Sequence, residues 1–266
     1  MKVAFKLILF FVIACALTWF GHLGNYLYPS NHWPVPMFPF GALLAAPITA
    51  LLTEGPAGVS AWWKRVLRFG APFHIYAAAI LGPLLICIAS VAIGVVLGNE
   101  MPPPEKLSVS INLLISIPFI AVLGGPLAEE PAFRGYGQHE LQKVVTPFAA
   151  SLWIGLGVMI WHIPVFISGG SHWMNIFALP AVSVVYAWLY CRGGSVWPLV
   201  ALHTTHNTLI GEYFGQMYDK EGTLLWRTFL VAFYVLWALI LVWRLGPSLG
   251  GAERGGKERA AARGAA

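Results

Sequence analysis

Glu129-Glu130-Pro131-Ala132-Phe133-Arg134-Gly135-Tyr136 places two adjacent carboxylates and an arginine just after Ile111–Leu123, a run without a single charge. Charged groups beside such a run are costly in lipid and usually face a bundle interior or a water-filled cavity, where they mark function. On a helix, Glu130 and Arg134 are four apart and share a face, with the acid on the favourable N-terminal side. Glu129 is turned about 100° away. One glutamate is therefore neutralised by the arginine while the other stays free for general-base work. The same octet also reads as a structural ion-pair cluster that holds helices together, and the octet alone leaves both readings open.

Three further polar residues interrupt apolar stretches. His162 lies in Trp161-His162-Ile163-Pro164, and His203 and Asn207 are four apart in Leu202-His203-Thr204-Thr205-His206-Asn207. A carboxylate base with a histidine activates water, and a second histidine with an asparagine amide can donate to the oxyanion of a tetrahedral intermediate. That set performs peptide hydrolysis without a covalent intermediate. No nucleophile elbow offers serine or cysteine chemistry. Glu and His also suit Zn²⁺, which would activate the water itself. There is no His-Glu-x-x-His, however, and the arginine disfavours a cation nearby, so no metal and no cofactor is expected. Taken singly, His162 reads as an interfacial or hydrogen-bonded histidine, and His203 and Asn207 as interhelical glue. His206 falls on another face from Asn207 and is left structural. His22, His32, His74, His139 and His172, in loops or at span ends, are assigned nothing. The weight comes from the three motifs occurring together.

The elements that must position these groups are membrane helices. The 266-residue chain is 58% hydrophobic and 10% charged, against about 25% charge in a soluble domain. The net charge of +5 sits between apolar runs and in the tail, not on a nucleic-acid-binding face. Cys15, Cys87 and Cys191 are too few and too scattered for a disulfide framework or zinc knuckle. The N-terminal run resembles a signal peptide but continues to Phe20, so a retained first helix is expected. The spans read as residues 4–20, 37–52, 71–97, 108–140, 145–167, 173–190, 196–214 and 223–245. Residues 21–36 read as an interfacial loop. The Trp62-Trp63-Lys64-Arg65 stretch suits a surface-lying amphipathic helix, although a plain connecting loop fits too. Gly124-Gly125-Pro126 and Pro131 both threaten the fourth span. The fold class is thus all-α, a bundle of about eight transmembrane helices in one domain. Residues 1–110 hold the first three spans, 111–214 the core with the polar motifs and 215–246 the last span, with a disordered basic tail over 247–266. With the N-terminus inside, inner segments hold thirteen Lys and Arg and outer segments three, which puts both termini in the cytoplasm.

Spans four and five turn near Lys143. Glu129 lies 14 residues before that turn and His162 19 after it, roughly 21 and 28 Å away along helices. His203 lies about eight residues into the seventh span. A buried cluster of Glu129, His162, His203 and Asn207 is geometrically possible.

With these motifs assembled, the chain resembles the CAAX protease and bacteriocin-processing family, the type II CAAX prenyl endopeptidase-like intramembrane glutamic proteases. The resemblance is carried by Glu129-Glu130-x-x-x-Arg134 with its Phe133-Arg134-Gly135 ending, by His162 and by His203-x-x-x-Asn207, and covers residues 111–214. It implies an eight-helix membrane fold, Glu129 as water-activating base assisted by His162, Glu130 paired with Arg134 in support, and His203 and Asn207 as the oxyanion hole. Val158 stands where the family often has an aromatic, and Pro131 where aliphatic residues are usual. The implied partners are a protein or peptide substrate, lipidated or plain, and the lipid bilayer, with no nucleic acid. The glycine- and alanine-rich tail points to a bacterial cell membrane. The alternatives are a non-catalytic immunity or scaffolding protein on the same fold, a metal-dependent protease and a proton-relaying transporter. A transporter would be expected to show a continuous polar path or an internal repeat, and neither is evident.

Overall fold

The computed structural model of the chain describes residues 2–27, 38, 40–123, 125–167, 172–218 and 220–251. Among them all regular structure is helical. The order is α1 (Val3–Leu27), α2 (Gly41–Val66), α3 (Phe73–Val96), α4 (Pro104–Leu107), α5 (Ile111–Leu123), α6 (Pro126–Ala132) and α7 (His139–Leu141), with a π-helical segment Phe133–Gln138 joining α6 to α7. Then come α8 (Pro147–Trp161), α9 (Ile163–Ile167), α10 (Asn175–Gly193) and α11 (Trp197–Asn207). A second π segment, Thr208–Tyr213, and a 3₁₀ turn, Phe214–Gln216, lead to α12 (Lys220–Leu245). Among the described residues, six helices are long and apolar enough to cross a membrane, when 111–141 is taken as one span. The apolar α8 is shorter.

Two cores hold the bundle. In the first, α1, α2 and α8 close around the first π segment through Phe10, Trp62, Phe133, Ile154 and Trp161. Its close approach comes from small residues: Ala42, Ala45, Ala46 and Ala50 of α2 are all fully buried. Without a hydrophobic drive between helices in lipid, such residues let backbones pack. Gly41 is part of this seam, because a Cβ there would lie 2.1 Å from Thr18 Oγ1 of α1. The second core joins α3, α10, α11 and α12 through Ile75, Leu189, Leu199, Leu202 and Trp226. The charged octet lies in α6 and the π segment, which pack against α2 on one side and reach α10 and α11 on the other.

Several boundaries differ from the sequence reading. The second span and the basic stretch after it form one helix, kinked where Gly55 adopts φ 69° ahead of Pro56. A plain loop over 56–66 is therefore ruled out. The fourth span is broken at Gly125, where Gly-Gly-Pro predicted trouble. It runs through Pro131 but then widens into π winding. The fifth span is not continuous either: α8 stops at His162 and α9 restarts at Ile163. α1 reaches Leu27, past the expected end at Phe20. The expected loop over residues 28–36 lies outside the described residues, as does the tail from 252. Leu249, inside the stretch read as disordered tail, is instead fully buried in the turn after α12.

Candidate active site

The break between α5 and α6 places the first glutamate. Gly125 has φ 106°, a conformation that side-chain-bearing residues rarely adopt. Pro126, which has no N–H to leave unpaired, opens α6. The Gly125 carbonyl accepts from the N–H groups of Ala128 at 2.8 Å and Glu129 at 2.7 Å. The Glu129 carboxylate folds back over this turn, so that a Cβ on Gly125 would lie 2.1 Å from its Oε1. A carboxylate near a helix N-terminus is favoured by the backbone dipole.

Beyond Ala132 the helix widens. The His139 N–H reaches back five residues to the Arg134 carbonyl, so the Gly135 carbonyl is passed over. Arg65 Nε of α2 donates to it at 3.1 Å. Trp62 Nε1, one turn earlier on α2 and fully buried, donates to the Pro131 carbonyl at 3.0 Å. Side chains of α2 thus satisfy two carbonyls of the widened helix, the kind of π irregularity that is frequent at functional sites.

The two glutamates, both buried, have different partners. Glu130 Oε2 lies 3.5 Å from Arg134 Nε, an ion pair longer than a good hydrogen bond. Its Oε1 lies 2.7 Å from His203 Nδ1. Arg134 is held further by a 3.3 Å hydrogen bond from Nη2 to Ser183 Oγ and by stacking 4.4 Å over the Tyr186 ring, both on α10. Glu129 Oε2 instead faces His162 Nε2 at 4.0 Å. His162 ends α8, and its Nδ1 lies 2.9 Å from the Val158 carbonyl. A carbonyl only accepts, so Nδ1 carries the proton and Nε2 of the neutral ring presents its lone pair toward Glu129. The preceding Trp161 is tied to α1 twice: its Nε1 donates to Thr18 Oγ1, and Trp19 Nε1 donates to its carbonyl, each at 2.9 Å.

The sequence-derived residues therefore come together as two groups, Glu129 with His162, and Glu130 with both Arg134 and His203. Asn207 closes α11 one turn after His203, on the same face. His206, left structural above, bonds Tyr234 Oη of α12 through Nδ1 at 2.7 Å. Sequence reasoning missed the link from Glu130 to His203 and the supports Trp62, Arg65, Ser183 and Tyr186. Trp62 and Arg65, and likewise Ser183 and Tyr186, are three apart and share helix faces, but nothing in one sequence says which helix those faces meet. Among the described residues, no three His, Cys, Asp or Glu side chains gather as a metal-binding group.

Residues 111–209 match the family model described as type II CAAX prenyl endopeptidase Rce1-like. No curated protein matches the chain. The matched segment runs from α5 into the start of the second π segment and contains Glu129, Glu130, Arg134, His162, His203 and Asn207. Residues 111–209 are thus similar to the type II CAAX prenyl endopeptidase Rce1-like family, and they are set among apolar helices long enough to cross a membrane.

Proposed function

We propose that the chain is an intramembrane endopeptidase that hydrolyses a peptide bond by water attack, with no covalent intermediate. The observation that carries this reading is the unequal partnering of two adjacent buried glutamates. Glu130 is engaged by Arg134 and His203, while the ion-pair contact of Glu129 among the described residues is with the lone-pair side of His162. A single water can bridge groups 4.0 Å apart, donating to Glu129 and to His162 Nε2. His162 orients the water, and Glu129 takes its proton as the water oxygen attacks the carbonyl carbon, then returns that proton to the departing amine nitrogen as the C–N bond breaks. His203 and Asn207 serve the oxyanion. Since His203 Nδ1 is spent on Glu130, its donor to the oxyanion is Nε2–H, and it acts as an imidazolium balanced by Glu130. Arg134 pairs with Glu130 in support of that task.

The finer topology belongs to the same proposal. The six long helices, with α8 and the α11–π stretch as shorter crossings, make eight spans with both termini cytoplasmic, in a bacterial cell membrane. The substrate is a membrane-associated protein or peptide, lipidated or plain, and the reaction uses no metal.

The test is proteolysis by the purified protein in liposomes, using quenched peptides with lipidated and plain C-termini. Cleavage lost in Glu129→Gln and His203→Ala but indifferent to chelator is the expected result. Loss with chelator moves the site to the metal class. No cleavage by folded wild type, together with a cellular phenotype that survives Glu129→Gln, transfers the chain to the non-catalytic reading.

A further inference from the structure

The basic and aromatic end of α2 takes no part in the peptide chemistry, yet it grips the segment that carries it. Beyond the kink at Gly55 the helix has two faces. Gly58, Trp62 and Val66, four apart in sequence, are buried along one of them. Trp63, Lys64 and Leu67 point outward and are exposed, as are Arg68 and Phe69 just past the helix. Tryptophan and basic residues beside an apolar surface suit the headgroup level of a bilayer. The charges here are also uncompensated. Lys6, Lys143 and Arg134 each pair with a glutamate. Among the described residues, no carboxylate lies within 4.0 Å of Lys64, Arg65, Arg68 or Arg192, the last of these exposed near the end of α10.

Two sets of contacts fix this end of α2. On one side it holds the π segment. Trp62 Nε1 and Arg65 Nε donate to the Pro131 and Gly135 carbonyls, and a Cβ on Gly135 would touch Val196, Val66 and Trp62 at 3.4, 3.5 and 3.7 Å. On the other side it holds the turn between α10 and α11. Ser195 Oγ donates to the Arg68 carbonyl, Trp197 Nε1 donates to the Val66 carbonyl at 2.9 Å, and the Phe69 and Trp197 rings stack with centres 4.4 Å apart. The Arg68 guanidinium lies along this turn, where a Cβ on Gly194 would be 3.7 Å from its Cζ. The Arg68 N–H bonds back to the Arg65 carbonyl at 3.3 Å, so the chain is still turning there and brings Arg68 round toward Lys64 and Arg65. Arg65 therefore stands between the two surroundings. Its Nε serves the π segment, and the terminal nitrogens of its fork carry further donors.

We propose that Lys64, Arg65 and Arg68 bind the phosphodiester of an anionic phospholipid, and that this lipid raises the activity of the site through Arg65; the effect on activity rests on the peptidase reading above. The phosphodiester is the anion that the headgroup level supplies, and guanidinium forks match its oxygens. Exposed Trp63, Leu67 and Phe69 meet the acyl boundary beside it. A phosphate on the terminal nitrogens of Arg65 restrains that side chain in the position from which Nε reaches the Gly135 carbonyl. Gly135 directly follows Arg134, the partner of Glu130. The bound lipid and the π winding that carries the acids thus stabilise one another, which is a coupling between two sites.

The experiment places the full chain in vesicles of phosphatidylcholine, alone or mixed with phosphatidylglycerol. Lipid retained by the protein after extraction into detergent is counted by mass spectrometry, and peptide cleavage is followed in the vesicles. Wild type should retain phosphatidylglycerol over phosphatidylcholine. It should cleave at least about 5-fold faster in the mixed vesicles, the lower end of an ordinary coupling between sites. Lys64→Gln combined with Arg68→Gln should weaken retention by about 5-fold per charge removed. This double variant should lose the acceleration and keep the wild-type rate in phosphatidylcholine. Arg65→Lys preserves the charge but not the fork, so it should retain the lipid and lose the acceleration. Thermal unfolding midpoints in phosphatidylcholine confirm that each variant is folded. Equal retention of the two lipids, or an acceleration that survives in the double variant, overturns the proposal. So does inorganic phosphate that accelerates cleavage in phosphatidylcholine vesicles as phosphatidylglycerol does, which would make this a site for a free anion. Selective retention without cleavage by wild type in either vesicle would sink the peptidase reading and leave the lipid site standing. Equal cleavage in both vesicles despite selective retention would keep the peptidase reading and overturn the coupling through Arg65.

Discussion

Two ionic centres among the described residues are built on opposite plans. One joins Lys6 of α1, Glu54 of α2, Glu140 of α7 and Lys143 just beyond it. Lys6 lies 3.0 Å from Glu54 and 3.1 Å from Glu140, which also pairs with Lys143. Its two acids are matched by two cations, and it ties together three helices at one end of the bundle. The other centre holds Glu129, Glu130, Arg134, His162 and His203. It has two acids and one permanent cation, and the second acid faces a histidine lone pair. A balanced cluster can act as a fastening. A cluster in which an acid faces a lone pair instead of a fixed cation is costly to bury, and it persists where that acid has a use.

That contrast predicts different kinds of damage. Glu129→Gln should cost about 10²- to 10⁴-fold in kcat, the range for a lost general base. Its unfolding midpoint should stay near that of the wild type, and peptide cleavage read beside thermal unfolding checks both. A large drop in stability with cleavage retained would place Glu129 with the fastenings instead. Glu140→Gln should do the opposite. It leaves Lys6 less well compensated, and breaking a buried pair costs about 3–5 kcal/mol. Chemical unfolding in micelles measures this, and kcat per folded molecule should hold.

Gly125→Ala sharpens the comparison from the active side. The new methyl would meet the Glu129 carboxylate at 2.1 Å, in a backbone conformation unsuited to alanine. A displaced catalytic group can cost about 10²-fold, so kcat should fall much more than KM rises. An unchanged kcat would show that the carboxylate works from another rotamer. The smallest effect is expected at Lys143→Ala. Its side chain is 37% exposed, so water screens the pair and the loss should stay below about 1 kcal/mol. A loss as large as that of Glu140→Gln would mean that the whole cluster acts as one unit.

Much of this was legible in the chain itself. Long uncharged runs require helices, because lipid offers backbone groups no hydrogen bonds. The break at Gly125-Pro126 follows from a missing N–H and a glycine conformation that other residues avoid. The i, i+4 spacing gave the Glu130–Arg134 pair, and the coincidence of Glu, His and His-x-x-x-Asn in apolar surroundings marked the site. Helix rise alone put Glu129 and His162 at comparable depth.

The partners across helices were a different matter. Sequence periodicity fixes which residues share a face but not which face meets which, since two apolar surfaces in lipid gain little by choosing one another. Whether His203 would turn to the oxyanion or to Glu130 was therefore decided by packing of α11 against α6. The π widening after Ala132 depends on Trp62 and Arg65 reaching the Pro131 and Gly135 carbonyls from a helix some seventy residues away. Residue types and local spacing determined the groups available for chemistry. The tertiary structure alone decided the partner that each acid meets across helices, His162 for Glu129 and His203 for Glu130, because those contacts join distant helices.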